Sequence, residues 1–249
     1  MKKLALILIL VLVLQACSAA PSPEKAEGLH VVTTSFPLYD FVREIGGSDA
    51  HVELLLPPGA EVHTFEPTPA DLKKVIESDL FLYVGGESDQ WINNMLDSTQ
   101  LKEDQSLMFM DKVKTLEEEQ SESMVEEHDH DHGHDDDDDH DEYDEHVWLS
   151  FDNAKKMVNL ISAKLQEMDG EHAAQFKERE ESYLKELDSL EKDYQEAIAN
   201  GKRKEIIVGD RFPFLYLVRS LGLTYDAAYP GCSANVEENA QTIKSLIDK

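Results

Sequence analysis

The stretch from Glu171 to Asn200 contains neither proline nor glycine, the two residues that most readily interrupt a helix. Its apolar residues recur at heptad-like spacing, which is typical of one face of a long helix. At 1.5 Å per residue, we predict one continuous helix roughly 40 Å long. Such a helix can pack along one domain while it leads to another, so it divides the chain into two parts. The apolar positions are Phe176, Tyr183, Leu187, Leu190, Tyr194 and Ala197.

Before this helix, short apolar or β-branched segments alternate with amphipathic ones. Thr68 and Pro69 together are typical of a helix N-cap followed by the first helical residue. The alternation of strand and helix predicts a parallel sheet with helices on both faces. The predicted strands are 30–34, 51–56, 80–84 and 106–110, and the predicted helices are 36–45, 69–78, 91–96 and 153–169.

After the long helix the same pattern restarts. Strands are predicted at 205–209 and 224–228, a helix at 213–220, and a last helix capped by Asn235. Two strands cannot cover two helices. We therefore expect the second unit to be incomplete and the chain to be C-terminally truncated.

The N-terminus indicates export. A basic start precedes an uninterrupted apolar run, Leu4–Leu14, which is too short to span a bilayer and fits a secretory signal. The run ends at Leu-Gln-Ala-Cys, which resembles a bacterial lipobox with Cys17 as the lipidated residue. The alternative is a plain signal with a chance cysteine. We predict a lipoprotein signal peptide over 1–17, a polar tether over 18–28, and an extracytoplasmic protein anchored to the cell membrane.

Charge excludes one class of partner. The formal net charge is -29, which argues against nucleic acid. Thirteen acids and no base lie within 126–145. An acidic run of this kind is typical of a disordered linker, but a histidine-rich tract also predicts weak, exchanging metal sites. The histidines of this tract are His128, His130, His132, His134 and His140.

Two further histidines are candidate metal ligands. His63 lies in the loop after a predicted strand, at the sheet edge where open α/β sheets bind ligands, although a lone loop histidine is usually just solvated. His146 lies shortly before the helix predicted at 153–169, and Asp144 can hold its ring N–H and fix the tautomer. A disulfide framework is excluded, because Cys232 has no protein partner once Cys17 carries lipid.

Three stretches together resemble a known family: PPGAEVHTFEPTPADL, the His/Asp-rich insert, and DEHVWLSFDNA. Their order is similar to that in the zinc- and manganese-type substrate-binding proteins of ABC importers. The resemblance implies an α/β fold of two lobes, each with a parallel sheet flanked by helices, joined by one long rigid helix. It places the metal in the cleft between the lobes, with His63 and His146 as ligands. A His-rich insert at this position is typical of the zinc-selective members.

With this resemblance, domain boundaries can be assigned. We expect an N-terminal metal-binding lobe over 29–152, with a disordered insert over about 117–143. A helix pair that includes the linking helix follows over 153–200, and the start of an incomplete C-terminal lobe occupies 201–249.

The sequence departs from the family at the remaining ligands. Most members carry a third histidine where this chain has Arg211, and an arginine cannot ligate a cation. The neighbouring Asp210 can supply an oxygen ligand or can instead form a salt bridge near Arg211. Cys232 is a candidate soft ligand, or a buried structural thiol. A fourth, acidic ligand would lie beyond Lys249. Two histidines, an acid and a water make an acceptable tetrahedral zinc site.

An enzyme is not expected, because no HExxH, GxSxG or similar catalytic motif occurs. We expect a lipoprotein that captures Zn²⁺ and delivers it to an ABC-type importer. Its partners would be the permease and ATPase of that importer and the membrane, and it would act as a monomer. The alternatives are a manganese- or iron-specific receptor of the same family, since such a site also tolerates those metals, and a surface zinc-buffering or adhesin-like lipoprotein.

Overall fold

A four-stranded parallel sheet forms the first part of the chain. The computed structural model describes residues 28–60, 62–98, 101, 103–124, 143–231 and 240–249. The strands are β1 (Leu29–Thr33), β2 (Ala50–Leu54), β3 (Leu80–Tyr83) and β4 (Ser106–Met108). Their order in the sheet is β2-β1-β3-β4, and every neighbouring pair is parallel.

Helices connect these strands, as parallel pairing requires. Thr68 is the N-cap of the second helix, as predicted, and forms a reciprocal pair of hydrogen bonds with Asp71. Two more helices follow the sheet. The helices are α1 (Phe36–Gly46), α2 (Pro69–Glu77), α3 (Gln90–Ser98), α4 (Phe151–Met168) and α5 (Ala173–Asn200).

Each face of the sheet is buried under its own set of helices. Because side chains alternate along a strand, Val31 and Val32 belong to different hydrophobic clusters. The larger cluster joins β1 and β3 to α1, α4 and α5. The smaller one packs against α2 and α3. The first includes Leu38, Ile45, Leu80, Leu82, Met157, Ile161, Leu165 and Phe176, and the second includes Leu55, Val75, Phe81 and Ile92.

The long helix is continuous, as predicted. It has 28 residues, which corresponds to roughly 42 Å at 1.5 Å per residue. Its first half packs on the first lobe, where Phe176 is fully buried and Arg179 bonds Asp49 and the carbonyl of Gly46 at the end of α1. Further along, Leu190 is 48% exposed. The helix therefore leaves the core of the first lobe before it ends.

A second, two-stranded parallel sheet follows. It consists of β5 (Glu205–Phe212) and β6 (Thr224–Pro230), with α6 (Leu215–Ser220) between them and α7 (Ala240–Ile247) after them. β5 is longer than predicted, because its pairing with β6 resumes at Arg211 after an irregularity that follows Val208. Asn235, the predicted cap of the last helix, lies outside the described residues.

The segment before the His/Asp-rich tract packs against this second sheet. Ser121 and Ser123 are buried and bond Ala227 and Asp226, while Glu117 forms an antiparallel bridge with Tyr143. The insert was expected to begin near 117, but the chain through residue 124 has a defined place. Its polar sequence gave no sign of this contact, since the partners lie more than 100 residues away.

The predicted fold class is confirmed: the chain is α/β, with parallel sheets flanked by helices on either side of one long helix. Of the helices in the described part of the chain, none combines the length and apolar character that crossing a bilayer requires. The predicted signal peptide, Cys17 and the tether up to residue 27 lie outside the described residues.

Candidate metal centre

His63 lies on a short 3-10 turn, Val62–Thr64, in the connection from β2 to α2. Its side chain is only 9% exposed, so the alternative of a solvated loop histidine does not hold. Its Nδ1 lies 2.8 Å from the hydroxyl of Ser88. Ser88 follows β3, and the carboxyl ends of β2 and β3 lie at the same edge of the parallel sheet.

His146 lies at the start of another 3-10 turn, Val147–Leu149, directly before α4. Asp144 Oδ1 accepts the backbone N–H of His146 at 2.7 Å and lies 3.0 Å from its ring Nδ1. A carboxylate can only accept, so this contact puts the ring proton on Nδ1. Tyr216 donates its hydroxyl to the carbonyl of Asp144, which fixes the segment further.

The two histidines are neighbours. Their ring centres are 5.5 Å apart and their planes are inclined by 59°. Two imidazoles on one tetrahedral zinc ion, with Zn–N distances of about 2.0–2.1 Å, have ring centres roughly 5 Å apart. The observed separation of His63 and His146 is therefore close to what one shared ion requires.

Glu145, between Asp144 and His146, was not among the predicted site residues. It is 6% exposed. Its Oε1 accepts the backbone N–H of Ser88 at 2.9 Å, and its Oε2 lies 3.8 Å from His63 Nδ1. The sequence shows Glu145 only as a second acid before His146 in Asp-Glu-His. Its contact with Ser88 joins residues 57 positions apart and depends on the tertiary fold.

Gly86 explains how this carboxylate fits. Its φ is +93°, a conformation that favours glycine, and a Cβ at this position would lie 2.5 Å from Glu145 Oε1. The absence of a side chain therefore lets the loop after β3 close over the Glu145 carboxylate.

A small cavity of about 10 Å³ lies beside His63, close to the volume that one small bound species needs. Ser35, one of its lining residues, is buried, and its hydroxyl finds no hydrogen-bond partner in the part of the chain that the structure describes.

Asp89 also lines this cavity. Burial raises the pKa of Asp89 to about 6, with the charge of Glu145 adding to the rise and the Gly85 N–H opposing it. The lining residues are Thr34, Ser35, His63, Val84, Ser88, Asp89, Glu145 and Trp148.

Of the other predicted ligands, Asp210 is the one that lies within the described residues, and it forms no metal-binding group with this pair there. Asp210 is exposed on β5, and its carboxylate accepts the N–H of Arg211 at 2.7 Å. Within the described ranges, no three His, Cys, Asp or Glu side chains form a group able to hold a metal ion. The ligand role of Asp210 stays a prediction. Cys232 and the five histidines of the acidic tract lie outside the described residues.

Comparison with known proteins gives a consistent answer. Residues 31–249 match the family described as zinc-uptake complex component A, periplasmic. The chain is 32% identical to the zinc-binding lipoprotein AdcA of Streptococcus pneumoniae over 254 aligned positions, which cover 100% of this chain and 48% of that protein. It is 33% identical to the high-affinity zinc uptake system protein ZnuA of Bacillus subtilis, over 89% of this chain and 67% of that protein.

The fold of this chain is also similar to solved structures of such zinc-binding proteins. The zinc-bound ZnuA-like domain of Streptococcus pneumoniae AdcA superposes with a TM-score of 0.68 at 27% identity, covering 89% of this chain and 74% of that one. The chain spans about half the length of the Streptococcus pneumoniae relative that it matches, at 48%. The match over residues 31–249 covers most of the sequence, and the chain therefore belongs to the family of periplasmic zinc-uptake components A.

Proposed function

We propose that this protein captures Zn²⁺ outside the cytoplasm and delivers it to an ABC-type metal importer. The observation that carries the proposal is the buried pair of His63 and His146, whose ring centres lie 5.5 Å apart. The relatives named for zinc binding and zinc uptake support the choice of metal.

The chemistry of the pair suits zinc. Asp144 engages Nδ1 of His146 and Ser88 engages Nδ1 of His63, so we assign Nε2 of each ring to the ion. Neutral imidazole is a good zinc ligand, and a carboxylate on the far nitrogen raises its basicity. The acidic surroundings also favour a cation, since Asp144 and Glu145 are both buried beside the rings.

The remaining ligands would come from the second lobe and from water. Asp210 or Cys232 can supply a third ligand, and a water can complete the tetrahedron. For Asp210 to reach the pair, the second lobe would close on the first about the long helix. Binding of the zinc ion by Asp210 would then signal to the importer, through this closure, that the metal site is occupied.

The outer parts of the chain fit the same role. The signal at 1–17 would direct export, and a lipid on Cys17 would anchor the protein to the membrane. The tether over 18–28 would let the lobes over 29–152 and 201–249 reach the permease, whose ATPase drives the import. The histidines of the acidic tract would raise the local zinc concentration and pass the ion to the pair. We infer a monomer without catalytic activity, and the match to a family of zinc-uptake components supports the transport role.

Zinc and manganese titration by calorimetry tests this function. The comparison is between the chain from residue 18 onward, the same chain lacking 126–142, and His63→Ala. The deletion stops at 142 because Tyr143 and Asp144 are part of the folded structure. One tight zinc site that survives the deletion and is lost in His63→Ala supports the receptor.

Two results would overturn this assignment in different ways. If all zinc binding disappears with residues 126–142, the protein is a zinc buffer and the histidine pair is not a capture site. If the tight site prefers manganese, the receptor stands and the zinc assignment fails.

A further inference from the structure

The tripeptide Asp144-Glu145-His146 contacts both histidines of the candidate site. Asp144 bonds the ring of His146 directly. Glu145 approaches His63 from the other side, with Oε2 at 3.8 Å from Nδ1 and Oε1 bonded to the N–H of Ser88. Ser88 in turn places its hydroxyl 2.8 Å from the same Nδ1. Each imidazole therefore has a buried carboxylate from one short segment beside its Nδ1.

We propose that Glu145 is a positioning residue for metal capture, which acts with Ser88 to keep the proton of His63 on Nδ1 and to present Nε2 to the ion. This inference rests on the proposed function, because it assigns the role of Glu145 through a ligand of that site.

The Ser88 hydroxyl alone does not decide the tautomer of His63. A hydroxyl both donates and accepts, so Ser88 is compatible with a proton on either ring nitrogen. If Ser88 donated to Nδ1, the proton of a neutral ring would lie on Nε2 and block that nitrogen as a ligand. The Glu145 carboxylate can only accept, and its negative charge near Nδ1 favours the proton at that atom.

The position of Glu145 is fixed by its surroundings. The carboxylate is buried, the Ser88 N–H binds one oxygen, and Gly86 packs so closely that a Cβ there would contact it at 2.5 Å. A group held in this way can act on His63 without first being ordered by the metal.

The experiment begins with the metal-free chain from residue 18 onward, ¹⁵N-labelled at histidine and studied above pH 8, well above the ordinary histidine pKa of about 6.5. Long-range ¹H–¹⁵N spectra report which nitrogen of His63 carries the proton, after assignment with His63→Ala. The proposal expects the proton on Nδ1 in the wild type. In Glu145→Gln, which keeps an acceptor for Ser88 but removes the charge, the proton should move towards Nε2. The zinc Kd should rise ~10–100-fold, as for other groups that orient metal-bound histidines.

Two matched variants separate this role from a merely structural one. Glu87→Gln removes a charge from an exposed side chain next to Ser88 and should leave both tautomer and Kd unchanged. Glu145→Asp keeps the charge and should retain the Nδ1 proton. A proton on Nε2 in the metal-free wild type overturns the proposal, and this holds even if Glu145→Gln fails to fold. An unchanged tautomer with a zinc Kd within twofold of wild type in a folded Glu145→Gln also overturns it.

Failure of the proposed function has a different signature. If His63→Ala binds zinc as tightly as the wild type, His63 is not a ligand and the receptor proposal fails. The tautomer of His63 is measured without metal, so its dependence on Glu145 is decided independently of that result.

Discussion

Asp144 Oδ1 accepts the backbone N–H of His146 at 2.7 Å and lies 3.0 Å from Nδ1 of the same residue. One buried oxygen thus fixes both the turn before α4 and the orientation of the imidazole that it carries. Because the carboxylate is only 1% exposed, water competes little for this contact.

From this geometry, Asp144→Asn should weaken zinc binding ~10–100-fold, because the amide keeps an acceptor but loses the charge that raises imidazole basicity. The measurement is zinc affinity by competition with a chelator, alongside thermal unfolding to verify the fold. Asp152→Asn, which removes a charge from an exposed residue on the first turn of α4, is the control and should bind like the wild type. Equal affinities for the two variants would contradict the orienting role.

Asp89 should make stability depend on pH. Its folded-state pKa is raised by burial to about 6, above the ordinary value of 3.8, so the folded protein binds this proton more tightly than the unfolded chain. The associated stability is fully present below about pH 4 and is lost as pH rises through 6. Asp89→Asn keeps an acceptor for the Gly85 N–H and cannot ionise.

This variant should therefore be more stable than the wild type at pH 7.5, by up to about 3 kcal/mol, and nearly equal to it at pH 4. Urea unfolding of the metal-free protein at both pH values measures the difference. Asp111→Asn, at an exposed carboxylate, should show no such pH dependence. A stability difference of the same size at both pH values would show that ionisation of Asp89 is not its cause.

The regular part of the fold follows from local sequence pattern. Thr68 and Pro69 predict the start of α2, and the apolar segments predict the six strands found in the described residues. Local pattern fails where pairing continues past a glycine. β5 extends beyond Gly209 because Arg211 and Phe212 pair with β6, a partner that the isolated segment does not reveal.

The site was predictable only in part. His63 was singled out by its place after a parallel strand, and His146 by its neighbouring acid and by the resemblance to the family. Their proximity, and the contacts of Glu145 with His63 and Ser88, arise from three loops that meet at one sheet edge. Such contacts depend on strand order, which local sequence pattern does not reveal.

Replacing a large apolar side chain by alanine should destabilise the protein more in the first half of the long helix than in the second. Phe176 is fully buried in the main core, so Phe176→Ala should cost about 3–5 kcal/mol of unfolding free energy. Leu190 is half-exposed on the same helix, and Leu190→Ala should cost less than about 1 kcal/mol. Urea unfolding measures both. A loss at Leu190 as large as that at Phe176 would mean that the second half is buried against another part of the protein.

Asp226 joins the second sheet to the segment before the acidic tract. It is buried and accepts the N–H of Ser123 at 3.1 Å, the hydroxyl of Ser123 at 2.6 Å and the ammonium of Lys249 at 2.6 Å. Burial alone would raise the pKa of Asp226, but hydrogen bonds from Lys249, Ser121 and Ser123 outweigh it and hold the pKa well below the usual range.

Replacing this carboxylate should loosen the contact between the two parts of the chain. Asp226→Ala should cost about 1–3 kcal/mol, because buried donors lose their acceptor. It should also speed proteolytic cleavage between residues 119 and 124. Since the folded-state pKa is depressed, the contribution of Asp226 is present above its ordinary pKa and lost as pH falls below it. The difference from wild type should therefore shrink below pH 4 in urea unfolding. Asp248→Ala, at an exposed residue, is the control. Unchanged cleavage in Asp226→Ala would show that other contacts hold the segment in place.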